Sequence, residues 1–275
     1  MKSFIVPVDF SDTSVNAARY AAQLAAEAGD IALILYNTHE KILSGSDGTP
    51  LFNDSDARQQ IAVVALESVK TELLGLADIH ITCVAEGGDF VQGLETYVKS
   101  MRVDMIVMGI TGSTPLEQIL IGSNTLKVIQ RNICPVLIIP PGAKFTGIRN
   151  VVFASDFKDV EKTTPIEPIK QFLHLTRPTL HVANVDHEHY VELTEEYKRE
   201  KAKLEEMLAP YRPEFYFIRL YDFIETISQF TLDNNIDVII TVPRKHSFLK
   251  GLFKQSNTRK LAYHSHVPIL AVHEL

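Results

Sequence analysis

Two long segments of this 275-residue chain repeat one another without a gap. Asp104-Met105-Ile106-Val107 falls on Asp237-Val238-Ile239-Ile240 at an offset of 133, and Ser123-Asn124-Thr125 falls on Ser256-Asn257-Thr258. Lys127 meets Lys260, and Pro135-Val136-Leu137 meets Pro268-Ile269-Leu270. Further upstream, Val6-Pro7-Val8-Asp9-Phe10 has its counterpart in Phe153-Ala154-Ser155-Asp156-Phe157, with the aspartates offset by 147. Self-similarity over such a length makes each copy a structural unit. The chain therefore reads as a tandem duplication, with domains 1–142 and 148–275 and a Pro/Gly linker from Pro140 to Gly147.

Each half alternates short apolar runs with amphipathic stretches, the pattern of a parallel sheet with helices on both faces. In the first half the strands are expected at Ser3 to Asp9, Ile31 to Asn37, Ile79 to Ala85, Asp104 to Gly109 and Val136 to Pro140. Helices are expected at Ser14 to Ala28, Ala57 to Leu76, Phe90 to Ser100 and Ser123 to Arg131, with a mobile loop at Lys41 to Asp56. The strand runs are apolar throughout, as suits strands covered on both faces. The second half repeats the strands at Val151 to Asp156, Leu180 to Val185, Phe215 to Leu220, Val238 to Val242 and Ile269 to His273. A charged, solvent-facing helix is expected from Tyr190 to Leu208, and a late-starting one from Thr163 to Leu175, delayed by Pro165 and Pro168.

Composition narrows the function. A net charge of −7 opposes nonspecific nucleic-acid binding, which depends on Lys and Arg neutralising phosphates. The first strand begins almost at once, without a signal-peptide pattern, and no apolar run reaches membrane-spanning length. The expected setting is cytoplasmic, with no membrane partner. Cys83 and Cys134 lack metal-ligand spacing and read as buried thiols.

Chemistry concentrates in the first half. Met108-Gly109-Ile110-Thr111-Gly112 follows an apolar run, and Gly122-Ser123-Asn124-Thr125 opens an amphipathic helix. Glycines allow close backbone approach, and a helix start offers unpaired N–H groups to an anion, so this is a candidate phosphate site. Alternatively the glycines only turn the chain and Ser123 only caps the helix. In an open parallel sheet the ligand lies at the carboxyl ends of the strands, which brings Asp9 and Gly109 together. Asp9 suits a ribose hydroxyl or an adenine amine, or else caps the following helix; Asn37 closes the second strand on the same rim.

Gly109-x2-Gly112-x9-Gly122-Ser123, with Pro7-Val8-Asp9-Phe10-Ser11 after the first strand, resembles the ATP-binding branch of the universal stress protein family. The resemblance covers both halves. It implies two Rossmann-like, doubly wound α/β domains, each a five-stranded parallel sheet of order 3-2-1-4-5, paired through their last strands as an intrachain pseudo-dimer. It leaves further homodimerisation and the identity of a protein partner open. Its function would be adenine-nucleotide binding in stress response or signalling, with ATP (or ADP or AMP, with Mg) as ligand. Pro7, Val8 and Asp9 would face adenine and ribose, with Asn37 in place of the usual apolar residue of the base pocket. Met108 and Gly109 would border the ribose; Gly112, Gly122, Ser123 and Asn124 would hold phosphates, with Thr111 and Thr125 close by.

The second half lacks this motif, because Val242, Lys245 and Gln255 stand where Gly109, Gly112 and Gly122 would be. No ATP is expected there in the family manner. The segment Arg244 to Lys254 is basic with interleaved aromatics, a partner or anion surface or simply a solvated loop. Asp186-His187-Glu188-His189 has metal-binding residue types without a third converging element, and His264 and His266 suit a helix C-terminus, so no metal site is assigned. The stretch between Gly109 and Gly122 holds no Lys and only one acid, Glu117. No catalytic residue is assigned, and phosphoryl transfer there would be slow at most. The alternatives are a slow ATPase and a nucleotide-free interaction module that uses the basic loop.

Overall fold

The structure is a computed structural model that describes residues 2–39, 52–110, 122–184, 194–217, 223–243 and 267–273. The apolar runs become the strands: β1 (Lys2–Pro7), β2 (Ile31–His39), β3 (Ile81–Gly87), β4 (Met105–Gly109) and β5 (Val136–Ile139). Between them lie α1 (Asp12–Ala28), α2 (Phe52–Leu74), α3 (Phe90–Met101) and α4 (Ser123–Gln130). The strand order is β3-β2-β1-β4-β5, and the described pairings are parallel. Ile5, Leu33, Leu35, Ile106 and Val107 are wholly buried along the central strands, each stabilising the fold by about 1.5–3 kcal/mol.

The chain divides into two compact units at Lys144 and Phe145. In the second, β6 (Asn150–Ser155), β7 (Thr179–Asn184), β8 (Glu214–Phe217), β9 (Val238–Thr241) and β10 (Ile269–Ala271) take the order β10-β9-β6-β7-β8. This is the first unit's topology. Its helices are α5 (Val160–Thr163), α6 (Ile166–Thr176), α7 (Glu195–Leu208) and α8 (Phe223–Asp233).

The duplication is visible in hydrogen bonds as well as in letters. Asp104 accepts from the Ser3 amide at 2.8 Å, and its twin Asp237 accepts from the amides of Arg149 and Asn150 at 2.7 and 2.9 Å. Both aspartates fasten the start of the central strand to its neighbour. Their place at the head of the repeated segments is thus structural.

Several local expectations need correction. Helix α2 begins at Phe52, so the end of the expected loop is helical; residues 40–51 lie outside those described. The helix expected from Thr163 is two helices: α5 starts at Val160 and stops at Thr163, and α6 starts at Ile166 behind Pro165. Proline supplies no amide but fits a first turn, which explains both the break and the restart. Cys83 and Cys134 are free but only part-buried, and burial still pushes their thiols up, to about 11 and about 12. The charged face of α7 is held by pairs such as Lys201–Glu205, as its composition implied.

Candidate functional site

At the carboxyl ends of β1, β2 and β4 the first unit has a cleft of about 310 Å³. β1 brings Pro7 to it and the chain beyond β1 brings Val8 and Asp9; β2 contributes Tyr36, Asn37 and Thr38, and β4 Met108 and Gly109. The start of α4 supplies Gly122, Ser123, Asn124 and Thr125, while Ser14 and Phe90 complete the wall. Thr111 and Gly112 lie outside the described residues. So do Lys245, Gln255, Ser256-Asn257-Thr258, the basic segment from Arg244, Asp186 to His189, His264 and His266.

Asp9 sits on an exposed turn whose geometry is fixed by its own neighbours. Its Oδ1 accepts from the Ser11 amide at 3.1 Å and the Ser11 hydroxyl at 2.5 Å. Ser11 then caps α1, its Oγ accepting from the Ser14 amide at 3.3 Å. Asp9 thus braces the capping residue and lines the cleft as well. The two readings open in the sequence are compatible.

The start of α4 is different. Gly122, not Ser123, is the N-cap residue, and among the described residues no side chain caps the helix. The amide of Gly122 donates to Ile110 O at 2.7 Å, and the first internal bond runs from Leu126 to Gly122 O at 3.0 Å. Among the described residues no side chain takes up the amides of the first turn, which stand at the positive end of the helix dipole. Thr125 is buried and donates its hydroxyl to Gly109 O at 3.0 Å. That hydroxyl anchors α4 to β4.

Gly109 has a reason for being glycine that the sequence did not disclose. A Cβ there would stand 2.9 Å from Thr13 O and 3.1 Å from Thr13 C, on the backbone of α1. Close packing of the first helix on the end of β4 requires the missing side chain. The reading that Gly109 serves approach to a ligand is thus incomplete: the nearest obstacle is protein.

The opposite end of the cleft is built on β2. The Val8 amide donates to Tyr36 O at 2.8 Å, and Val8 O accepts from Asn37 Nδ2 at 2.7 Å. Tyr36 is fully buried and donates to Glu86 at 3.0 Å; burial, then that bond, raises its phenol well above the usual range, so it stays protonated. Its hydroxyl would lie 2.6 Å from a Cβ on Gly93, so that glycine lets α3 settle onto β2. Tyr36, Thr38, Ser14 and Phe90 carry no motif that marks them in the sequence. Tyr36 and Thr38 flank Asn37 at a strand end, and that adjacency is the signal that could have found them.

The Universal stress protein family profile matches residues 1–140 and 169–273. The chain belongs to the universal stress protein family. A universal stress protein of Methanocaldococcus jannaschii is 33% identical over 144 residues, half of this chain and 81% of the relative. The universal stress protein YxiE of Bacillus subtilis is 26% identical over 142 residues, 49% of this chain and 96% of the relative. Among solved structures, a universal stress protein of Archaeoglobus fulgidus shares the fold with a TM-score of 0.71 at 18% identity, covering 99% of this chain and 98% of that one. The stretch between the two matched regions, 141–168, contains β6 and α5.

Proposed function

We propose that this chain is a cytoplasmic adenine-nucleotide-binding protein of stress response or signalling, with one nucleotide site in the first unit. The observation that carries the reading is the start of α4 at Gly122, Ser123 and Asn124, which no side chain caps among the described residues and which lines the same cleft as Asp9 and Asn37. A helix start with unsatisfied amides suits phosphate, and a carboxylate at the end of the central strand suits a ribose hydroxyl. The likeness of the glycine pattern to ATP-binding family members supports ATP over other anions, with ADP and AMP as weaker ligands that offer fewer phosphates. Thr111 and Gly112 complete the phosphate end in this reading, and Mg accompanies the triphosphate.

In the second unit Val242 stands in the place of Gly109, and no nucleotide binds in the same manner. The chain holds and senses the nucleotide rather than turning it over rapidly. Calorimetric titration of the full-length protein with ATP, ADP and AMP tests the reading, together with identification of any nucleotide released on denaturation. One ATP per chain, bound more tightly than AMP, is expected. Absence of binding overturns the assignment, and two sites per chain overturn the account of the second unit.

A further inference from the structure

Asn37 is the one amide side chain at the β2 end of the cleft among the described residues. Because Val8 O can only accept, the group bonded to it at 2.7 Å must be the Asn37 NH₂, which fixes the orientation of the amide. Its Oδ1 is left as an acceptor with no partner among the described residues, at a half-buried position on the cleft wall. The phosphate-suited end, at the start of α4 beside β4, lies two strand spacings away from β2, with β1 between. At about 4.8 Å per strand that is roughly 10 Å, a span that fits a base at one end and a 5′-phosphate at the other.

The twin position sharpens the point. Asn184 stands at the end of β7 as Asn37 stands at the end of β2, and its Nδ2 reaches Ser155 O, the equivalent of Val8 O, at 3.4 Å. The tie between strand ends is thus common to both units. Asn184, however, is only 6% exposed, whereas Asn37 lines an open cleft. What distinguishes the first unit is an amide that keeps the tie and still presents an acceptor.

We propose that Asn37 selects the base of the bound nucleotide, its Oδ1 accepting from the exocyclic amine of adenine and repelling the carbonyl oxygen that hypoxanthine carries at the same place. This inference rests on the nucleotide reading above. A locked acceptor discriminates more strongly than an apolar wall, because the wrong base leaves it facing another acceptor. Calorimetry of the full-length protein with ATP, purine riboside triphosphate and ITP tests it. ATP is expected to bind about tenfold more tightly than ITP, with the purine analogue between them. Asn37→Val is expected to weaken ATP binding severalfold and to shrink the ATP-to-ITP ratio to about threefold or less. Equal binding of ATP and ITP by the wild type overturns the proposal, and so does a full ratio in Asn37→Val. If Asn37→Val does not fold, as judged by circular dichroism, the wild-type ligand series decides alone. Failure of all three nucleotides to bind the wild type removes the nucleotide reading itself, an outcome distinct from binding without selection.

Discussion

The two units share a strand order and differ at the rim. After β1, Asp9 braces Ser11, Ser11 caps α1, and the helix runs unbroken for 17 residues. After β6, Asp156 makes the same turn, its Oδ1 accepting from the Lys158 amide at 3.1 Å, but lysine cannot cap a helix as serine does. The helix α5 that follows has no side-chain cap at Asp159, borrows Glu200 of α7 as acceptor for the Val160 amide, and ends after four residues. Phe10 and Phe157 both take left-handed backbone, at φ 64° and 53°. Yet Phe10 is 40% exposed and Phe157 only 2%, packed against Tyr197, Phe215 and Phe217. A glycine at the end of β4 accompanies the long, closely packed first helix, and Val242 accompanies the broken one. The lesson is that the glycine at this strand end and the close packing of the first helix go together: Gly109 belongs to both the repeat's glycine pattern and the packing.

The sharpest way to break this comparison is to give the first unit the second unit's residue. Gly109→Val drives a side chain into the Thr13 backbone, and a loss of about 2 kcal/mol or more is expected, read as a fall of roughly 5 °C in the melting temperature. Unchanged stability would mean that α1 can retreat freely and that the glycine is not a packing requirement. Gly122→Gln, which likewise transplants the second unit's residue, should do the reverse. The φ of −58° at Gly122 accepts any residue, so melting changes little, while ATP affinity falls by about tenfold or more as the side chain crowds the first-turn amides. Intact affinity would remove α4 from the proposed phosphate site.

Thr125→Val leaves Gly109 O without its buried partner and should cost about 1 kcal/mol, measured by denaturant titration. The smallest effect concerns acid and is confined to the second unit. His181 is buried beside Tyr216 and Phe230, and burial lowers its pKa below the ordinary 6.5, against a weaker upward pull from Glu214. The folded state therefore binds fewer protons than the unfolded one. This contribution is complete above pH 6.5 and is lost as pH falls through the lowered folded value. Replacing His181 with Leu should flatten that part of the second unit's stability profile below pH 6.5; an unaltered slope would place the acid response elsewhere.

Much of the fold was legible because apolar runs report strands directly and the repeat reports its own boundaries. Helix ends were harder, since Ser11, braced by Asp9, starts α1 through side-chain bonds that periodicity does not record. Helix α8 is not distinguished by the strand-and-turn pattern, although Ile224, Ile227 and Thr231 recur at helical spacing. At the candidate site, strand-end residues could be named from the topology the resemblance implied. The reasons behind them could not. That Gly109 answers to Thr13, that Thr125 answers to Gly109, and that Asn37 commits its NH₂ to Val8 are facts of three-dimensional neighbourhood, with partners far apart in the chain.

The Thr125 hydroxyl joins helix and strand at one carbonyl, and the residue owning that carbonyl touches the backbone of α1. Three elements separated in the chain are therefore in mechanical series, α4 to β4 to α1. One hydroxyl and one missing side chain thus bring a helix start, a strand end and the first helix together at the floor of the cleft.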